Sequence, residues 1–331
     1  MPRETAPARV TLRQQVPREL GGWRLDQTAA HLFADYSRAR LQIWIRRGLL
    51  LVDQRPGKVR DKVVGGEWLE LCVEETPQGQ WRAQALALDI VHEDDAILVI
   101  NKPPGLVVHP GAGNPDQTLL NGLLHHCPDL ENIPRAGIVH RLDKDTSGLL
   151  VVAKTLSAHN KLVQQLKDRS VSRYYLCLVY GQVEEDGSID APIGRHPQAR
   201  VRMAVTASGK PAVSHYRVLE RFAGFSYLSV KLETGRTHQI RVHMTHIGHP
   251  LVGDPLYRGQ RSQALGLSDA LAATLSSFPR QALHAYRLAL DHPETGLRIQ
   301  WQAPLPTDMA ELLALMRGGD NTSENVATER V

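Results

Sequence analysis

Apolar residues recur along the chain with two different periods, which separate a short helical region from a longer region rich in strands. Between Leu25 and Ile45 the apolar positions are three or four residues apart and predict two short helices. Residues 49–71 then form short apolar runs around a Pro-Gly turn, as the strands of a small sheet do. The pattern therefore predicts a small N-terminal domain over residues 18–75.

The remainder of the chain, from Leu88, consists of apolar runs of strand length joined mostly by turns. A first hairpin is predicted around Asp94 and Asp95. Further strands are predicted at 173–183, 212–222, 225–233, 283–290 and 298–303, and helices at 118–127, 157–169 and 307–317. Strands joined by turns, with few helices between them, predict an α+β domain over residues 88–317 with a mixed, largely antiparallel sheet.

Three segments lack an apolar period and are predicted to lie outside the two domains. Residues 1–17 contain three prolines and are expected to form a flexible lead-in. Residues 76–87, which contain a proline and a glycine, are expected to link the two domains. Residues 318–331 are polar and are expected to form a disordered tail.

Composition limits the classes of function. No apolar run approaches the roughly 18 residues that a membrane span needs, and no apolar signal core follows the N-terminus, so a cytoplasmic protein is expected. Cys72, Cys127 and Cys177 are odd in number and widely spaced, which favours reduced thiols over disulfides or a zinc site. The chain lacks GxxxxGK and GxGxxG motifs, so no nucleotide cofactor is implied.

The basic residues are distributed unevenly. The net charge is only +4, yet residues 38–62 carry eight basic residues against two acidic ones. A clustered basic face on a small domain is typical of proteins that bind a phosphate backbone, although a solvated helix face gives the same pattern. The candidate RNA-binding residues are Arg38, Arg40, Arg46, Arg47, Lys58, Arg60 and Lys62.

The segment 137–150, GIVHRLDKDTSGLL, places a charged turn between two apolar runs that are predicted to be strands. Loops held between rigid elements often carry chemistry, and Asp143 lies in this turn between the basic residues Arg141 and Lys144. A carboxylate in such a turn can act as a nucleophile or a base, and it can equally do no more than cap the turn.

A second informative stretch, ETGRTHQIRVHM, covers residues 233–244. Gly235 permits a tight turn, and Thr237 is predicted to cap the helix that follows. His238 and Arg241 are three residues apart, so they project together and present a guanidinium that could pair with a carboxylate from elsewhere in the fold. An ordinary surface helix would explain the same pattern.

His243, His246 and His249 resemble a metal cluster by their spacing. Zinc sites built on helical histidines place them four residues apart with a catalytic glutamate between them, whereas the gaps here are three. Packing or RNA contacts explain these histidines, and no metal site is predicted.

Tyr174 and Tyr175 open a predicted strand, so their side chains lie on opposite faces of the sheet. One is expected to face the core and the other a cleft, where an aromatic ring can stack on an unstacked base. Two structural tyrosines remain the alternative.

Five motifs, taken together and in this order, make the chain closely resemble the RluA-type pseudouridine synthases. In chain order they are VINKPPGLVVHPGAGN, GIVHRLDKDTSGLLVVAK, RYYLCLVYG, ETGRTHQIRVHM and LVGDPLY. The resemblance covers nearly everything from Leu20 to Arg317 and implies the pseudouridine synthase fold. Ahead of the five motifs, RLDQ, SRAR and VVGGEWLEL resemble a small S4-like RNA-binding domain, with Val-Asp-Gln in place of the usual Val-Asn-Gly turn at residues 52–54.

The resemblance implies roles for individual residues. Asp143 matches the catalytic aspartate, and Arg241 matches the arginine that pairs with it. Arg141 matches the arginine that enters the space left by the flipped uridine, and Tyr175 matches the tyrosine that stacks on the flipped base. The further substrate-binding candidates are His140, His238 and Ile240.

The implied activity is the isomerisation of specific uridines to pseudouridine in 23S ribosomal RNA, in the helix 69 stem-loop, as a step in large-subunit maturation. The expected partner is 23S RNA or a precursor of the large subunit, and the expected enzyme is a monomer without a cofactor. Asp143 could attack the anomeric carbon, add to carbon six or act as a base on the sugar. Two alternatives are an RNA-binding assembly factor with incidental catalysis, and a metal-dependent hydrolase that uses the three histidines.

Overall fold

The chain forms two compact units, which divide between residues 80 and 81. The computed structural model describes residues 8–33, 36, 38–75, 81–111, 113–199, 201–257 and 267–320. Each unit has a hydrophobic core of its own.

The first unit packs two helices against a four-stranded antiparallel sheet. Its elements are β1 (Ala8–Gln15), α1 (Leu25–Leu32), α2 (Arg38–Arg46), β2 (Leu50–Val52), β3 (Arg55–Pro56) and β4 (Trp68–Glu75). The strand order is β1-β4-β2-β3. Leu25 and Leu41 from the helices and Leu69 from the sheet are fully buried in one core, as the helical and strand periods require.

Strand β1 corrects the prediction of a flexible lead-in over residues 1–17. All eight of its residues pair with β4, from Ala8 opposite Glu75 to Gln15 opposite Trp68. Three prolines and several polar residues concealed this strand in the sequence, because its stability comes from pairing with a strand about 60 residues away. Residues 1–7 lie outside the described residues.

The second unit contains a nine-stranded sheet with helices packed on it. Its strands are β5 (Ile90–Glu93), β6 (Ile97–Lys102), β7 (Ser147–Ala153), β8 (Ser172–Tyr180), β9 (Gly187–Asp190), β10 (Ile193–Arg195), β11 (Met203–Val205), β12 (Val213–Phe222), β13 (Phe225–Leu232), β14 (Leu283–Asp291) and β15 (Arg298–Gln302). Its helices are α3 (Leu119–His126), α4 (Leu156–Lys167), α5 (Gln239–His246), α6 (Asp269–Ser277) and α7 (Thr307–Asp320).

The large sheet is mixed and mostly antiparallel, as predicted. Its order is β5-β6-β7-β14-β8-β13-β12-β9, with β15 beside β14 and a separate β10-β11 pair. Within this sheet, only β7 and β14 run parallel. Along one side of β14, two different strands pair with successive segments. His284 and Ala285 pair with β7, and residues 287–291 pair with β15.

Strand β7 is buried along its whole length and carries the charged turn before it. Leu150 and Val152 face a core that includes α3 and α5, whereas Leu149 and Val151 face a core that includes α4. A strand covered on both faces is a rigid support for the loop that leads into it.

The predicted strand at the start of the charged turn is replaced by a tight turn over Pro134–Gly137, in which Arg135 and Ala136 have φ values of +56° and +50°. Ile138 then makes a single bridge to Val152. Gly137 has a φ of +77°, and a Cβ there would lie 1.9 Å from the carbonyl oxygen of Ala153. Only glycine fits this approach of two backbones.

The predicted linker and tail also differ from the structure. Residues 81–87 belong to the second unit, where the side chain of Asn121 donates to the carbonyl of Arg82 at 2.9 Å. Helix α7 continues through residues 318–320, which were predicted to be tail. Residues 76–80 and 321–331 lie outside the described residues. No helix in the described ranges is long and apolar enough to cross a bilayer.

Candidate active site

A cavity of about 900 Å³ in the second unit brings together the residues predicted to act on substrate. Its walls come from the loop before β7, from β8, from the end of α4 and from the turn between β13 and α5. The predicted residues in its lining are His140, Arg141, Asp143, Tyr175, His238, Ile240 and Arg241. The cavity is in the size range of small-molecule sites.

Asp143 and Arg241 meet in this cavity although 98 residues separate them in the chain. The Nη1 of Arg241 donates to Oδ2 of Asp143 at 3.0 Å, and the side chains are 6% and 14% exposed, respectively. Asp143 comes from the loop that precedes β7, and Arg241 comes from the first turn of α5. The predicted pairing of a guanidinium with a distant carboxylate is therefore present.

Asp254 completes this arrangement and was not predicted from the sequence. Its two carboxylate oxygens accept from Nε and Nη2 of Arg241 at 2.7 and 2.9 Å, and the backbone amides of Leu256 and Tyr257 donate to Oδ1. Two carboxylates raise the pKa of Arg241 and keep it charged. The Gly-Asp-Pro turn of LVGDPLY was the available signal, since an aspartate there can hold a sharp turn.

His238 immediately precedes α5 and does not lie within it. It occupies the N-cap position that was predicted for Thr237, and its φ is +57°. Tyr257 Oη accepts from the backbone amide of Met203 at 2.8 Å and is also hydrogen-bonded to His238 Nδ1 at 2.8 Å. Nε2 of His238 lies 3.9 Å from Oδ1 of Asp143. Burial lowers the pKa of His238 and favours the neutral form.

Tyr175 and Ile240 form an apolar wall of the cavity. They are 6% and 4% exposed and belong to the same core cluster. Tyr174 lies on the opposite face of β8, where the guanidinium of Arg287 stacks on its ring at 4.0 Å. Burial, and to a lesser degree the charge of Asp143, raises the pKa of Tyr175, so its hydroxyl is protonated at neutral pH. The predicted division of the two tyrosines between opposite faces is confirmed.

His140 and Arg141 are neighbours in the chain with different surroundings. The amide of Val151 donates to Nε2 of His140 at 3.1 Å, and burial lowers the pKa of this histidine to about 3. His140 is therefore neutral and ties the loop to β7. Arg141 is exposed in the lining of the cavity, where its guanidinium is accessible to a ligand.

Two buried cations hold the loop that carries Asp143. Lys102 donates from Nζ to the carbonyl of Lys144 at 2.9 Å and to two carbonyls of its own turn. Arg280 donates from Nη1 to the carbonyl of Asp145 at 3.1 Å, and its other nitrogens are bound by Asp308 of α7. Consecutive carbonyls just after Asp143 are thus fixed from two sides. Burial lowers the pKa of Lys102 to about 7, whereas its three carbonyl acceptors match the three donors of the ammonium form.

Two of the three histidines considered for a metal site make separate hydrogen bonds, and the third, His246, is exposed. His243 contacts Ser214 Oγ at 2.9 Å and the carbonyl of Ala191 at 3.0 Å, and His249 contacts the carbonyl of Tyr180 at 3.0 Å. Among the residues that the structure describes, no group of three or more His, Cys, Asp or Glu side chains is arranged to hold a metal ion.

The basic residues of the first unit divide into two sets. Arg38 donates to the fully buried carboxylate of Asp26 at 2.8 and 2.9 Å, so it helps to fix the contact between α1 and α2. The side chain of Arg40 lies outside the described part of the chain. The side chain of Arg38 is itself 45% exposed, and the remaining candidates are exposed as well: Arg46, Arg47, Lys58, Arg60 and Lys62.

Comparison with known proteins agrees with the fold. Residues 96–246 match the family described as RNA pseudouridylate synthase. Ribosomal large subunit pseudouridine synthase D of Pseudomonas aeruginosa is 60% identical over 92% of this chain and 95% of that protein. The protein of the same name from Escherichia coli K12 is 51% identical over 93% of this chain and 95% of that protein.

Solved structures agree with this. Human RNA pseudouridylate synthase domain containing 4 covers 69% of this chain and 92% of its own, at 25% identity and a TM-score of 0.55. Human RNA pseudouridylate synthase domain containing 1 covers 70% of this chain and 95% of its own, at 28% identity and a TM-score of 0.51. With 60% identity across nearly the whole of a curated member, the chain belongs to the RluA-type RNA pseudouridylate synthases, a family of isomerases.

Proposed function

We propose that this chain converts specific uridines of the large-subunit ribosomal RNA to pseudouridine, and that the target is the helix 69 stem-loop of 23S RNA. The observation that carries the proposal is the Asp143–Arg241 pair at 3.0 Å in a cavity large enough for a nucleotide. The names of the similar bacterial proteins support the choice of ribosomal RNA.

The substrate uridine must leave its stack to reach Asp143, because the side chain lies inside the cavity. Flipping costs a few kcal/mol and costs least in loops, which favours a stem-loop substrate. Arg141, exposed in the lining, would fill the space left in the RNA. Tyr175 and Ile240 would contact the flipped uracil with their apolar surfaces.

The two carboxylate oxygens of Asp143 have different tasks in this proposal. Oδ2 accepts from Arg241, whereas Oδ1 has no hydrogen bond within the described chain and faces His238 at 3.9 Å. Oδ1 is therefore the oxygen that would reach the substrate. The bond from N1 to the anomeric carbon breaks, the uracil turns, and carbon five bonds to the sugar; carbon five loses a proton and N1 gains one. The reaction needs no oxidant or reductant.

The exposed basic residues of the first unit would bind the RNA backbone as an S4-like domain, and the protein would act as a cytoplasmic monomer on 23S RNA or on a precursor of the large subunit. Counterion release makes such binding steeply dependent on salt. Arg46→Gln with Arg47→Gln should weaken binding to all RNA sequences alike and lower the salt dependence by about one phosphate contact per residue.

The test is incubation of the purified chain with a helix 69 transcript, followed by carbodiimide treatment and primer extension. Wild type should give new stops and Asp143→Asn none, while the matched variant Asp145→Asn should retain activity. The proposal fails if wild type gives no stops or if Asp143→Asn is fully active. A strain carrying Asp143→Asn separates the alternative role, because an assembly factor with incidental catalysis would still support subunit maturation.

A further inference from the structure

Arg173 is a buried arginine in the cavity that has no acidic partner among the residues described. It is 8% exposed, and its side chain leaves β8 on the same face as Tyr175, two residues further along the strand. Its Nη2 donates to the backbone carbonyl of Glu233 at 3.3 Å, and its Nε is buried without a hydrogen-bond partner. The family resemblance assigned Arg173 no role.

The acidic side chains of the cavity are bound by other cations. The carboxylate of Glu233 accepts from Arg169 at 2.8 Å and contacts His215 at 2.6 Å. Asp143 is held by Arg241. Seven arginine or lysine residues line the cavity against these two acids, so the charge of Arg173 is not compensated within the protein.

A second unpartnered donor lies near Arg173. Because Nε2 of His140 accepts from a backbone amide, neutral His140 carries its proton on Nδ1, which is buried and has no partner. Both side chains line the cavity, and the charge of Arg173 contributes to the lowered pKa of His140 after the larger effect of burial. This part of the cavity wall therefore has more hydrogen-bond donors than acceptors, which favours a ligand that accepts hydrogen bonds.

A buried guanidinium without a counter-charge is unfavourable, and this cost is offset when an anion enters. Guanidinium groups bind phosphate oxygens through strong, charge-assisted hydrogen bonds. RNA carries its anionic oxygens in its phosphodiester groups, whereas a neutral uracil carbonyl would leave the charge uncompensated. We propose that Arg173 binds a backbone phosphate next to the flipped uridine and so fixes the nucleotide whose base lies against Tyr175. This inference rests on the proposed function.

The first test compares Arg173→Met with Arg287→Met. Arg287 also has a buried, unpartnered Nε, but it stacks on Tyr174 and does not line the cavity. Arg173→Met should weaken binding of the stem-loop about tenfold or more and leave the thermal midpoint unchanged or higher, because it removes an uncompensated charge. Arg287→Met should bind RNA as wild type does. A lower midpoint for Arg173→Met with unchanged RNA affinity would show a structural role and overturn the inference.

The second test removes the phosphate charge. A methylphosphonate linkage placed 5′ or 3′ of the target uridine should weaken binding to wild type at one of these positions, but should have little further effect on Arg173→Met. Such coupling between two changes is measured by a double-mutant cycle and arises only between groups that interact. Equal losses with wild type and variant at both linkages would contradict the proposal.

The third test does not depend on the ribosomal substrate. Uridine 5′-monophosphate and 3′-monophosphate should stabilise the wild-type chain against heat more than uridine does, and this difference should disappear in Arg173→Met. If wild type makes no pseudouridine in helix 69 but shows this difference, the proposed substrate is wrong and the phosphate site stands. If uridine and its monophosphates act alike on wild type, the phosphate site is wrong.

Discussion

Asp254 holds Arg241 in a single orientation, because both of its oxygens accept from the guanidinium, at 2.7 and 2.9 Å. This contact leaves Nη1 of Arg241 for Asp143, at 3.0 Å. Asp254 is itself fixed, since it is fully buried and accepts from two backbone amides. The position of the candidate catalytic carboxylate thus depends on an aspartate that does not line the cavity.

Asp254→Asn is expected to lower kcat about 100-fold with a smaller change in KM, since a misplaced catalytic group loses rate rather than affinity. The measurement is pseudouridine formation under single-turnover and steady-state conditions. Asp291→Asn, which alters an exposed carboxylate paired with Arg298, is the matched control and should behave as wild type. A normal kcat in Asp254→Asn would show that Arg241 needs no second anchor.

Arg280 is expected to act through the backbone of the Asp143 loop. Arg280→Met removes the donor to the carbonyl of Asp145 and the ion pair with Asp308, so kcat should fall about tenfold at nearly constant KM. Arg280→Lys should recover little, because one ammonium cannot reproduce the fork that binds both partners. Arg298→Met, at an exposed arginine, serves as the control. A higher KM with an unchanged kcat would exclude this positioning role.

Two glycines with similar φ values allow the cost of a steric clash to be measured apart from the cost of a positive φ. Gly137 and Gly105 have φ values of +77° and +83°, but only the first would place a Cβ against a neighbouring backbone atom. Gly105→Ala should cost about 1 kcal/mol of unfolding free energy, and Gly137→Ala several times as much. Guanidinium unfolding of the two variants measures the difference. Equal costs would mean that the backbone near Gly137 can shift without loss.

The stability of the second unit should fall as the pH drops from about 6.5 toward 4. Burial lowers the pKa of His284 to about 4, whereas the unfolded chain binds this proton near pH 6.5. The stability that neutral His284 contributes is complete above pH 6.5 and is lost as the pH falls. Between pH 7 and pH 5 this loss is about 2 kcal/mol. Guanidinium unfolding at both pH values should show a smaller loss in His284→Gln than in wild type. His125→Gln, at an exposed histidine, should lose as much as wild type.

Local patterns in the sequence predicted the elements that depend on neighbouring residues. Helices α1 and α2 follow from apolar spacing between Leu25 and Ile45, and the alternation of Tyr174 and Tyr175 follows from the period of a strand. The turn that carries Asp143 was also identified, because a run of charged residues between two apolar runs is typical of a turn between strands.

Elements that depend on distant partners were missed. Strand β1 has little apolar character of its own and is defined by its pairing with β4. The predicted strand before Asp143 became a turn, because Gly137 lies too close to the backbone of Ala153 for a regular strand. No local period contains this information.

The sequence by itself determined the family, the α+β class and the pairing of Asp143 with Arg241, since these follow from local motifs and from resemblance. Only the tertiary structure decided that Asp254 anchors the arginine, that Arg280 and Lys102 hold the loop, and that Arg173 is buried without a counter-charge. The physical reason is that hydrogen bonding, burial and charge compensation depend on which residues meet in space. The separations here, from 13 residues for Arg241 and Asp254 to 135 for Arg280 and Asp145, exceed the range of any sequence period.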